Sequence, residues 1–159
     1  MRILDILKKE EIKIGLTAAE KSSCMAEMLD ILIANRKLKA ESKDIVLKEL
    51  MAREELGSTG IGQGVAIPHT RTSEVTTHVA CFGTSRIGVD FNSLDGDPVY
   101  LIFLLLSPKS VPQEKAGDSL KILSAVSRLL KDKFFRQAMR GAENPEQAYD
   151  ILKEEDTGN

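Results

Sequence analysis

Pro98-Val99-Tyr100-Leu101-Ile102-Phe103-Leu104-Leu105-Leu106 is the stretch that decides the fold. An unbroken apolar run of this length predicts a central strand covered on both faces. It is far too short to span a bilayer as a helix, so no direct membrane insertion is expected. Gly88, Asn92, Gly96 and Asp97 read as turn residues before it. Further upstream, Val75 to Thr84 alternates loosely and predicts a second strand, and Val65-Ala66-Ile67 predicts a short third.

Helical patterns flank these strands. Ile3, Leu4, Ile6 and Leu7 suggest a short opening helix, and Ile12 to Leu16 alternates like a strand. Thr17-Ala-Ala-Glu20 reads as a capping box, followed by Met25, Met28, Leu29, Leu32 and Ile33 along one helical face. A second helix is expected from Ser42, turning Val46, Leu47, Leu50 and Met51 inward and ending at Gly57. After the central strand, Ile122, Leu123, Val126, Leu129 and Leu130 form one stripe, and Phe134, Phe135, Ala138 and Met139 another. Asn144-Pro145-Glu146-Gln147 supplies a cap, a first-turn proline and a capping-box Gln for a final helix. The expected fold is α+β, an α/β/α layered sandwich with a mixed central sheet between helical layers. No linker or repeat divides it, so residues 1–155 are read as a single domain and 156–159 as a polar tail.

Composition removes several function classes. The chain has 159 residues, a net charge of −2, 4% aromatic residues and no Trp. Scattered Lys and Arg leave no electrostatic footprint for nucleic acid, and few rings are available for base stacking. The N-terminus meets Asp5 and two lysines before an apolar run can develop, unlike a signal peptide. Cys24 and Cys81 lack CxxC spacing and are expected as buried reduced thiols of a cytoplasmic protein.

The segment between Gly57 and Pro68 changes character. Gly57, Gly60, Gly62 and Gly64 leave little side chain, so backbone amides can approach a bound group. It is no P-loop, because Gln63 stands where the lysine must be and a strand follows. Nor is it a dinucleotide fingerprint, because Pro68 blocks the required helix. Of the two histidines, His78 lies at an alternating strand position and is expected as a half-exposed surface residue. His69 follows the glycine segment and Pro68, without metal-ligand neighbours at suitable spacing. No cofactor or metal is expected, and residue order singles out no Ser for a triad. A structural histidine and a nucleophile remain the two readings of His69. As a nucleophile, a neutral imidazole could attack phosphorus while its other nitrogen is held by an acceptor. Arg53 could then supply a charged planar fork.

The string Arg53-Glu-Glu-Leu-Gly57-Ser-Thr-Gly60-Ile-Gly62-Gln-Gly64-Val-Ala-Ile-Pro68-His69 closely resembles the active-site segment of the fructose/mannitol-type enzyme IIA of the bacterial phosphotransferase system. The likeness extends from Leu4 to Leu152 and includes Leu94-Asp95-Gly96-Asp97-Pro98-Val99. It implies a histidine phosphocarrier in which His69 accepts phosphate from the small carrier HPr and Arg53 is the supporting cation. Family members usually open the helix after the central strand with a second histidine. Here Ser119 aligns at that place, within Asp118-Ser119-Leu120-Lys121, and a serine can donate but cannot become cationic. The glycine segment is most similar to the nitrogen-regulatory branch, which implies protein targets such as sensor kinases or potassium transporters. Two alternatives stand beside it: a sugar-transport IIA that passes phosphate to a IIB partner, and a binding module that no longer carries phosphate.

Overall fold

The computed structural model describes residues 2–155. In chain order its elements are α1 (Ile3–Ile6), β1 (Ile12–Ile14), α2 (Lys21–Ala34), α3 (Lys43–Glu55), β2 (Gly60–Gly62), β3 (Val65–Ala66), β4 (His69–Thr72), β5 (Val79–Val89), β6 (Val99–Pro108), α4 (Asp118–Lys131), α5 (Lys133–Gly141) and α6 (Pro145–Glu155). The expected tail falls outside the described residues.

The apolar run is β6, and it organises the molecule. Strand order is β1-β5-β6-β3-β2, with β4 also pairing β6. β5 runs antiparallel to β6, while β3 and β4 run parallel to it, so the sheet is mixed as expected. Alternation along β6 divides the core in two. Ile102, Leu104 and Leu106 join Met25, Met28, Leu29 and Leu50 under α2 and α3. Leu101, Phe103 and Leu105 join Ile122, Val126, Phe135 and Met139 under α4, α5 and α6. Burial on both faces explains why this strand shows no polar alternation. Among the described residues no helix is long and apolar enough to cross a membrane. Cys24 and Cys81 are free and buried between α2 and β5.

Several local expectations need correction. Thr17 opens no capping box: α2 begins at Lys21 with Glu20 at its cap, and Glu20 makes no side-chain cap bond. The amides of Thr17 and Ala18 donate instead to Glu27, in the second turn of α2, whose carboxylate also meets Lys13 Nζ at 2.8 Å. A carboxylate that can serve two amides at once outcompetes a local hydroxyl. The strand expected from Val75 starts at Val79 and runs on to Val89. Gly88 (φ +90°) is consequently a bulge inside β5 and not a turn, with the register shifting between Thr84 and Val89. Phe134 faces outward, while Phe135 and Met139 carry the buried side of the short α5. At α6, Asn144 caps the amide of Gln147 as expected, but the Gln147 side chain accepts from Glu143 N.

Candidate functional site

The site is built on a strand that breaks once. Val65 and Ala66 pair with Leu101 and Ile102, and His69 and Thr70 pair with Leu105 and Leu106 in the same register. β3 and β4 are therefore one line of chain along β6, interrupted only at Ile67-Pro68. On the inner side the Pro68 carbonyl accepts from Leu105 N, and on the outer side Ile67 N donates to Thr59 O at 3.0 Å. Pro68 has no N–H, so its own bonding to β6 is confined to its carbonyl and the ladder is interrupted here. His69 is the first residue after the break, and its pairing with Leu105 turns its side chain to the α4 face.

The His69 ring is oriented by its own chain. Nδ1 lies 2.7 Å from Ile67 O. A carbonyl only accepts, so Nδ1 carries the proton in this bond. In the neutral ring Nε2 then keeps its lone pair. The same Ile67 thus receives the loop through its N–H and fixes the histidine through its carbonyl.

Preceding the break, β2 and β3 form a hairpin whose two loop residues, Gln63 and Gly64, have φ of +62° and +77°. Positive φ at both loop positions is what a tight primed hairpin turn requires, and Gly64 meets it without steric cost. A Cβ at Gly64 would also press to 3.2 Å from the Tyr100 ring. Gln63 is held by Asp95 at its amide and by Arg136 at its side chain.

Arg53 stands in the last turn of α3, where Nη1 donates to Gly57 O at 2.9 Å. It therefore closes the helix C-terminus, a structural duty the sequence did not suggest. No hydrogen bond joins Arg53 to His69 among the described residues; the link runs through the Gly57–Thr59 loop and Ile67. Ser119, half-buried, sits in the first turn of α4, on the helix that packs over the His69 face of the sheet. It makes no bond to His69 either. Among the described residues no hydrogen bond or ion pair joins Arg53, Ser119 and His69 to one another.

Two features were not anticipated. Glu54 is buried and its carboxylate accepts from both the amide and the hydroxyl of Thr59, with Lys21 Nζ at 3.8 Å. It anchors the loop between α3 and the strand break. Its placement was readable, since Val46, Leu50 and Glu54 recur at four-residue steps on one helix face. His78 is the second feature. It is not a half-exposed surface residue but 8% exposed, with Nδ1 3.0 Å from the buried Ser107 Oγ. Burial holds its pKa below the ordinary histidine value; the Asp118 carboxylate works against that shift, while Arg71 and Lys115 add to it.

A mixed sheet between two helical layers, presenting one part-exposed histidine at an interrupted strand, defines a class of layered α+β domain. The chain belongs to the family described as phosphoenolpyruvate-dependent sugar phosphotransferase system, EIIA 2, whose model matches residues 5–155. It is 33% identical over 156 residues to the fructose-specific EIIABC component of Bacillus subtilis, covering 98% of this chain and 24% of that protein. It is 32% identical to the nitrogen regulatory protein of Bradyrhizobium diazoefficiens, covering 96% of this chain and 95% of the relative. Among solved structures, the nitrogen regulatory protein IIA-Ntr of Neisseria meningitidis superposes with a TM-score of 0.81 at 34% identity, covering 93% of this chain and 97% of the other.

Proposed function

We propose that this protein is a cytoplasmic histidine phosphocarrier of the phosphotransferase system that takes its phosphoryl group on Nε2 of His69. The observation that carries the reading is the Nδ1 contact to Ile67 O, which leaves Nε2 as the nucleophilic nitrogen. In the transfer, the Nε2 lone pair attacks phosphorus of a phosphohistidine donor of the HPr type. The donor's P–N bond breaks, and its electron pair returns to the donor imidazole. Little covalent assistance is needed beyond alignment and charge compensation. The N-terminus of α4 brings a positive helix end to this face of the sheet, and Ser119 in its first turn offers a hydroxyl. Arg53 would approach the transferred group with the guanidinium nitrogens that do not cap Gly57.

A regulatory role, exerted through protein contacts that depend on phosphorylation state, is favoured by the relatives named as nitrogen regulatory proteins. Delivery to a IIB partner in sugar transport is the second reading, supported by the fructose-specific relative. A module that no longer carries phosphate is the third, motivated by Ser119 where the family usually has histidine. Incubation with phosphoenolpyruvate, enzyme I and HPr, followed by mapping of the modified residue, tests the proposal. Acid-labile phosphate on His69 is expected; phosphate elsewhere, or none from an active donor, would overturn it.

A further inference from the structure

The turn between β2 and β3 is gripped from one side by α5. Arg136 and Arg140 lie four residues apart on that helix and so share a face. Arg136 Nη2 donates to Gln63 Oε1 at 2.8 Å. The Arg140 guanidinium lies 3.8 Å from the centre of the Tyr100 ring, and Tyr100 N donates to Gly64 O at 2.8 Å. Both turn residues are thus reached from α5, Gln63 directly and Gly64 through Tyr100. Glutamine is a costly residue for this turn. Its φ of +62° is one that side chains other than Asn and Asp rarely adopt, and Asn-Gly would form the same turn more easily. Asparagine is one methylene shorter, however, and would lose the contact with Arg136. A backbone cost carried at one defined position points to a use for the longer side chain.

We propose that Gln63 is a positioning residue for phosphotransfer: its bond to Arg136 fixes the β2–β3 turn against α4 and α5, and so sets the line of chain that leads through β3 to Ile67 and His69. The proposal rests on the reading of His69 as the phosphorylated residue.

The path from this contact to the ring is short and made of hydrogen bonds. Gly64 O accepts from Tyr100 N and Leu101 N, which fastens the start of β3 to β6. Val65 and Ala66 then pair with Leu101 and Ile102, and Ile67, the next residue, holds His69 Nδ1 through its carbonyl. A turn free to shift would let β3 tilt on β6 and carry that carbonyl with it. Asp95 holds the Gln63 amide at 3.2 Å, so the turn is fixed through its backbone by one partner and through its side chain by the other. Arg136 also fastens α4, because Nη1 donates to Leu130 O at 3.0 Å and to Lys131 O at 2.7 Å in its last turn. One guanidinium therefore sets the hairpin against the helix whose first turn carries Ser119. Neither Gln63 nor Arg136 bonds to His69 among the described residues. They act through the framework, where small displacements of a reacting group are expensive in rate.

The test compares Gln63→Asn, Arg136→Lys and the double variant with the wild type in single-turnover phosphate uptake from phosphorylated HPr. Rates are measured at a temperature where denaturation curves show every variant fully folded. Gln63→Asn keeps the turn and removes only the reach. Its maximal rate should fall about threefold to tenfold, while the donor concentration giving half that rate changes less than about twofold. Arg136→Lys keeps the charge without the fork and should slow the maximal rate in the same way. The double variant should be no slower than the slower single one, because both changes remove one contact. An unchanged maximal rate in Gln63→Asn, a loss confined to the half-saturating donor concentration, or single effects that multiply in the double variant would overturn this proposal while leaving His69 as the carrier. Failure of the wild-type protein to take up phosphate at all would overturn both.

Discussion

Ile67 holds His69 from two residues away: its carbonyl oxygen lies 2.7 Å from Nδ1 of the ring. Because Ile67 N simultaneously donates to Thr59 O, the orientation of the His69 ring depends on the loop that leads from α3. Glu54 secures that loop through Thr59, so a residue with no contact to His69 bears on the placement of its ring.

Glu54→Gln is expected to destabilise the protein and to slow phosphate uptake. The amide can still accept one bond from Thr59, but the charge-assisted pair of bonds is lost and Lys21 loses its partner. A cost of ~1–3 kcal/mol is the usual range for disturbing such a buried group. Chemical denaturation measures the stability. A variant as stable as wild type would show that Glu54 does not hold the loop.

Arg53→Lys separates the cap on Gly57 from the proposed contact with a phosphoryl group. Lysine keeps the charge but cannot cap Gly57 and address a phosphoryl group with one fork. Loss of the cap should cost ~0.5–1.5 kcal/mol, lowering the melting temperature by a few degrees. Transfer should fall well beyond what that loss of stability explains. A melting shift with unchanged transfer would confine Arg53 to the cap.

Acid should destabilise the protein in two separate windows. Burial, the largest influence, holds the His78 pKa below its ordinary 6.5. Between 6.5 and the lowered value the unfolded chain binds more protons than the folded one, so stability falls as pH drops through that range. His78→Gln should remove this first decline. Glu27 is the opposite type of group: burial raises its pKa, but the bond from Lys13 and the amides of Thr17 and Ala18 bring it below 4.5. Its contribution is present above 4.5 and is lost as pH falls through the lowered value. A denaturation series with no His78-dependent change between neutral and mildly acid pH would refute the assignment.

Ser119→His should strengthen transfer. If the first turn of α4 faces the phosphoryl group, a cationic donor there could recover ~1.4 kcal/mol in the transition state, about tenfold in rate. Ser119→Ala should slow transfer modestly. Uptake by Ser119→His but none by the natural protein would identify a binding module held in its unphosphorylated state.

Much of the architecture was legible because β6 is apolar on both faces and its flanking helices carry clear stripes. The misread details share a cause: each depends on what packs against the residue and not on its neighbours in sequence. His78 follows Thr76 and Thr77 and looks like part of a polar strand start, yet the cross-strand Ser107 and the α4 side of the sheet enclose it. Gly88 has the signature of a turn, but strand pairing resumes at Val89. Gln63-Gly64 lacks the Asn-Gly or Asp-Gly signature of a two-residue hairpin, so the turn before the site was not readable. The motif singles out His69 and Arg53 as candidates, whereas the Ile67 contact that orients the ring depends on the strand break at Pro68.

The most direct test of the account is heteronuclear NMR of the phosphorylated protein with 15N-labelled histidine. Phosphorus coupling to Nε2 of His69, with Nδ1 still protonated towards Ile67, is the expected result. Coupling to Nδ1, or to a nitrogen of His78, would contradict it.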